Sequence, residues 1–145
     1  MSDIINELQD TWDNSSDPIS KQIKDRIKKA GKKFNANDNI AEYIQEGEIE
    51  KLQAEVQEKL QGVLDSLVID TENDHNTKET AKRVAKMYIK ETFGGRYKPM
   101  PRITSFPNMG YKSMYTSGPI SIKSTCAHHL QNIVGNAWVG IIPNG

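Results

Sequence analysis

A thiol and an imidazole three residues apart can grip one metal ion from a single short turn. Cys126 and His129 stand at that spacing in Ser124-Thr125-Cys126-Ala127-His128-His129-Leu130, a segment that holds the chain's one cysteine and two of its three histidines. Zinc suits such a thiolate and imidazole pair. In a strand, positions 126 and 129 would point to opposite faces, so the two converge only if the chain leaves strand geometry after Thr125. The Val/Ile-rich sequence stops there, as a turn requires. His128 is then expected to point elsewhere, free to move protons near neutral pH. The same residues also fit a plainer reading, with Cys126 a small buried apolar group and the histidines polar turn residues. A catalytic zinc takes three protein ligands and a water. The remaining histidine, His75, falls in a remote polar loop. Spacing alone therefore leaves the metal set incomplete.

The elements that must position this segment are mostly helical. Residues 1–17 end in a polar stretch closed by Pro18, and read as a tail with one short helix at most. Ile19, Ile23, Ile27 and Ala30 recur at helical spacing from Pro18 to about Lys33, opposite a face of lysines and Arg26. Asn35–Asn39 forms a loop able to cap a short helix at Ile40–Ile44. A second helix is predicted over Glu48–Leu67, with Leu52, Val56, Leu60 and Leu64 in its stripe and an acidic early face. The basic face of the first helix is expected to pack near those acids. A third helix is predicted over 77–93, with Asn76 and Glu79 at capping-box spacing and Gly94-Gly95 as its end. Arg83 and Lys86 lie one turn apart on it, as a solvated face or as an anion site.

After Gly95 the pattern changes to strands, predicted at Arg102–Phe106, Pro119–Thr125 and Asn132–Ile142. The last carries apolar residues on both faces, which calls for cover on both sides. Its Asn144-Gly145 end is a hairpin signal with no second strand after it, so the natural sequence is expected to continue.

Bulk properties narrow the class. The chain has 145 residues, enough for one domain with a core. Its 19 basic and 19 acidic residues cancel, so net charge argues for neither nucleic acid nor membrane. A nucleic-acid adaptor built on the basic helix is correspondingly disfavoured. No apolar run approaches the roughly 20 residues of a membrane span, and the N-terminus lacks a signal-peptide pattern. A lone cysteine excludes an internal disulfide, and the cytoplasm is the expected compartment. Hydrophobic content is 36%, and much of the shortfall lies in residues 1–60, which places the expected core toward the C-terminus.

Several segments match one family in order and spacing. They are Thr80-Ala81-Lys82-Arg83-Val84-Ala85-Lys86-Met87-Tyr88, Phe106-Pro107-Asn108, Cys126-Ala127-His128-His129-Leu130 and Gly140-Ile141-Ile142-Pro143-Asn144. From Leu60 onward the chain resembles GTP cyclohydrolase I. The resemblance implies an α+β architecture, with N-terminal helices followed by the first part of a tunnelling-fold antiparallel sheet. It implies a variable helical extension over 1–47 and the family domain over 48–145, incomplete at its C-terminus. It implies assembly into a homo-oligomeric ring, a decamer in the family. The implied reaction opens the imidazole ring of GTP with water, giving formate and 7,8-dihydroneopterin triphosphate.

By the same resemblance, Cys126 and His129 are zinc ligands, His128 is the proton-transfer residue, and Arg83 and Lys86 belong to the triphosphate-binding set. Two positions depart from the family pattern: Ala127 stands where glutamate is usual, and Ala81 replaces a typical proline. A third ligand, a cysteine, is expected in a further C-terminal part. Without that part the chain is expected to bind zinc poorly and not to turn over GTP. The alternative is a non-catalytic tunnelling-fold subunit that joins longer chains.

Overall fold

The apolar period after Pro18 becomes helix α1, Ile19–Lys29, in a computed structural model that describes residues 17–143. The helix stops four residues short of the predicted Lys33 because Gly31 adopts φ 65°. Its amide bonds to Lys28 O at 2.9 Å, and the Lys32 amide reaches back to Ile27 O at 3.1 Å. This is a left-handed cap, which glycine adopts without steric cost. A single 3₁₀ turn, Ala41–Tyr43, comes next, where a short helix was predicted. Asn39 Oδ1 accepts the Ala41 amide at 2.9 Å, so the Asn-rich loop does cap it.

Helix α2, Glu48–Ser66, matches the predicted second helix and crosses α1. Ile19, Ile23 and Ile27 of α1 bury together with Ile40, Leu52 and Ile89. The expected charge complementarity also forms. Arg26 pairs with Glu48 and donates Nε to Tyr43 O at 2.9 Å, while Glu48 also accepts the Gln45 amide at 2.7 Å. Further along, Glu55 accepts the Ser20 amide at 2.8 Å and its hydroxyl at 2.6 Å.

Helix α3 is shorter than predicted, Thr80–Met87. The capping box does not form: Asn76 turns its amide to Asp74 at 3.0 Å, and Glu79 pairs with Lys82 at 3.1 Å. Asp70 and Asp74 instead fold 70–79 into side-chain-bonded turns, which compete with helix. At Tyr88–Thr92 the helix widens into a π turn, closed by Phe93 N bonding to Tyr88 O at 2.9 Å. The helical run ends at Thr92, before Gly94-Gly95 as expected, and a separate turn, α4, Gly94–Tyr97, follows.

No strand forms at Arg102–Phe106; Ile103 and Phe106 are exposed there. Pro101 and Pro107 bracket the run and lack ladder donors. The sheet is a two-stranded antiparallel ribbon of β1, Tyr115–Thr125, and β2, Asn132–Ile141. Its register slips between Ser117 and Ile120. There Gly118 takes φ 155°, and a Cβ would fall 2.4 Å from the Trp138 ring. Only glycine fits so close an approach.

The core therefore lies in the helices, not toward the C-terminus as composition suggested. Sparse isoleucines spaced along one face bury more completely than the apolar-rich ribbon, whose two strands cannot cover their own faces. Val134 and Trp138 are 76% and 69% exposed. The Asn144-Gly145 signal and the N-terminal tail lie outside the described residues. None of the described helices is long and apolar enough to cross a membrane.

The C-terminal end and the buried side of α2 each set up a stability test. The helix closes with Val68 N bonding to Asp65 O (3.0 Å) and Ile69 N to Leu64 O (3.1 Å), with Val68 at φ 59°. That is the conformation Gly31 supplies for α1, here imposed on a β-branched residue. Val68→Gly should stabilise the chain by about 1 kcal/mol in urea unfolding; no gain would mean the strain is relieved elsewhere. Burial pushes the Glu55 carboxyl up, but hydrogen bonds from Lys59 and Ser20 outweigh it and hold its pKa below the ordinary value. A depressed folded pKa gives stability that is present above the unfolded value and lost as pH falls through the folded one. Glu55→Gln should therefore lower stability near neutrality and flatten its decline in acid. Parallel stability-versus-pH curves for the two proteins would contradict this.

Candidate metal centre

β1 ends at Thr125, and the chain turns at once. Cys126 N donates to Gln131 O at 2.8 Å, and Leu130 N donates to Cys126 O at 2.9 Å. Leu130 closes the turn at φ 53°. The predicted departure from strand geometry is thus present, and it gathers Cys126, His128 and His129 within one connection between paired strands.

His128 does not point elsewhere. Its Nδ1 lies 3.9 Å from Cys126 Sγ, and its ring centroid lies 6.3 Å from that of His129. Within so tight a turn, position i+2 returns beside position i. No hydrogen bond joins Cys126 to the His129 ring among the described residues. The backbone N–H groups of His128 and His129 point at the sulfur instead, and they hold the thiol below its ordinary pKa. A thiol so placed favours the thiolate, the form that binds metal.

The donor chemistry fits zinc, a soft thiolate with imidazoles in reach. The donor count does not: among the described residues no group of three or more Cys, His, Asp or Glu side chains converges on one point. His75 stays in its polar loop, 3.9 Å from Asp74.

Arg83 and Lys86 share an exposed side of α3, as predicted. The Arg83 guanidinium is folded back, donating to Asn76 O at 2.7 Å and Thr80 Oγ1 at 3.2 Å. Lys86 makes no hydrogen bond or ion pair among the described residues. Neither is bonded to the Cys126 turn.

Sequence reasoning missed what lies behind that turn. A cavity of about 190 Å³ is lined by Ala36, Asn37, Asn39, Thr92, Phe93, Gly95 and Arg96 on one side, and by Ser124, Thr125 and Ala127 on the other. The Thr125 hydroxyl is buried with no hydrogen-bond partner. No motif or period in the sequence brings residues 36–39 to residue 127.

Comparison with known proteins fits this arrangement. The family model for GTP cyclohydrolase I matches residues 56–145. GTP cyclohydrolase 1 of Vibrio cholerae is 33% identical over 128 residues, covering 87% of this chain and 56% of the relative. That of Vibrio vulnificus is 37% identical over 98 residues, covering 66% and 45%. That of Shewanella loihica is 39% identical over 90 residues, covering 61% and 42%. The chain spans about half the length of the curated relatives it matches. A match across most of the chain, taking in the thiol–histidine turn, places the protein in the GTP cyclohydrolase I family.

Proposed function

We propose that the protein acts as a zinc-dependent GTP cyclohydrolase I, opening the imidazole ring of GTP to give formate and 7,8-dihydroneopterin triphosphate. The observation that carries this is the Cys126 turn: a thiol whose pKa is lowered by the His128 and His129 amides, with His128 Nδ1 3.9 Å from its sulfur and His129 in the same turn, inside the segment the family model matches. Cys126 as thiolate and His129 through a ring nitrogen are the residues that would hold zinc. Zinc, when bound, makes water acidic enough to ionise near neutral pH. Two waters are consumed, the first opening the ring to a formamide and the second releasing formate, and at each C–N cleavage His128 takes a proton from the attacking water and gives it to the departing nitrogen. Arg83 and Lys86 meet the triphosphate as paired cations, Arg83 by giving up its bonds to Asn76 and Thr80. A lone thiol that stays reduced fits the cytoplasm.

Assembly is part of the proposal. The open faces of the β1–β2 ribbon carry Ile120, Ile133, Trp138 and Ile141, more apolar surface than a monomer normally exposes. A homo-oligomeric ring would cover them. The same faces favour one second reading, a non-catalytic subunit that joins longer chains.

The test uses the longest natural reading frame that contains this chain, purified with zinc. Formate and a fluorescent pterin should accumulate from GTP, and Cys126→Ser or His128→Ala should lower turnover by about 10²-fold or more. Zinc should also protect Cys126 from alkylation in a GTP-free assay. Full zinc loading with GTP left intact would favour the subunit reading; no protection of Cys126 would remove it from the metal site.

A further inference from the structure

Part of the wall behind the metal turn comes from outside the family match, which begins at residue 56. That part is the 36–39 loop, and Arg96 holds it. The guanidinium donates to Phe34 O at 3.1 Å, Ala36 O at 3.1 Å and Asp38 O at 2.7 Å, and also contacts Asn35 O. The Arg96 carbonyl accepts the Ile40 amide at 2.8 Å. Asn39 ties the same two segments from the other side, giving Nδ2 to Gly95 O at 2.8 Å and Lys98 O at 2.7 Å. The loop closes one turn of its own, with Asp38 N on Asn35 O at 3.0 Å and Asn35 N on Asp38 Oδ2 at 2.6 Å, and the Arg96 and Asn39 bonds fasten that turn to the 95–98 segment.

Across the cavity stand Thr125 and Ala127, the residues on either side of Cys126. A buried hydroxyl with no partner, such as Thr125 Oγ1, carries a desolvation cost, and it stays buried only while its surroundings are held in place. The donors of Arg96 and Asn39 are engaged by main-chain carbonyls, so the cavity offers little to an anion.

We propose that Arg96 is a positioning residue for the Cys126–Leu130 turn, fastening the Ala36–Asn39 loop that closes the far side of the cavity lined by Thr125 and Ala127. Arginine is required because one planar fork must reach several carbonyls at once; a lysine offers the charge without the fork. The N-terminal region thus takes part in shaping the site. The proposal rests on the reading of this turn as the reactive one, yet its test needs neither metal nor GTP.

The experiment is amide hydrogen exchange over residues 126–131, read by mass spectrometry with the rate of Cys126 alkylation at fixed pH. The proteins compared are the unaltered chain, Arg96→Gln, Arg96→Lys, Asn39→Ala and Ile27→Ala. Ile27 is 1% exposed in the core that also holds Ile40, so its truncation measures how far loosening of the core alone reaches the turn. Exchange in the turn should rise about tenfold in Arg96→Gln and Asn39→Ala, and alkylation should accelerate with it. Arg96→Lys should resemble Arg96→Gln, and Ile27→Ala should raise exchange in the turn several-fold less than either. Unchanged turn exchange in Arg96→Gln overturns the proposal, as does an equal rise in Ile27→Ala. Should Arg96→Gln fail to fold, Asn39→Ala decides alone by the same criteria. A protein that leaves GTP intact would defeat the proposed activity and leave this result standing.

Discussion

A carboxylate shut away from water must find a cation, and Glu48 finds Arg26. The Glu48 side chain is 6% exposed and that of Arg26 15%, so solvent screens the pair little. Both partners are also satisfied beyond each other, Arg26 by Tyr43 O and Glu48 by the Gln45 amide. One contact thereby fixes three things: the crossing of α1 on α2, the path of the 40–45 segment, and the start of α2. The isoleucine cluster supplies burial energy, which is non-directional. The ion pair selects the one crossing that leaves no charge stranded.

From that crossing a chain of support runs to the site. Ile40 joins the core, and its amide is held by Arg96 O. Arg96 gathers the loop before Ile40, and that loop faces the residues flanking Cys126. The π turn at Tyr88–Thr92 meets β1 from the other direction. π turns are frequent at functional sites, and the wider backbone re-aims the residues C-terminal to it. Here those residues include Phe93, Gly95 and Arg96, all on the cavity wall.

Much of this was legible in the sequence. Ile19, Ile23 and Ile27 announced α1 by period, and Cys126 to His129 announced a turn by the end of Val/Ile-rich sequence. Periodic burial and abrupt changes of residue type leave local traces. Other features leave none. The fork of Arg96 bonds main-chain carbonyls some sixty positions away, which any sequence could supply. The capping box at Asn76 was a correct local signal that lost to Asp74 and Asp70, whose carboxylates hold the same segment in turns. Overall composition misplaced the core because burial depends on where apolar residues sit, not on how many there are. The contact of His128 with the thiol was hidden for a related reason, since strand and helix periods say nothing about a turn closed by Leu130 at positive φ.

The open ribbon bears on the order of folding. β1 and β2 are joined by a short turn and can pair from local contacts on a fast timescale, whereas the helical core must first bring Ile19 to Ile89. What remains afterwards is a rigid, twisted strip with Trp138 and Val134 facing water. Covering that strip is a later event of a different kinetic order. If the cover comes from the same polypeptide its rate is independent of concentration; if it comes from another chain the rate scales with how many are present. A dilution series during refolding would separate the two.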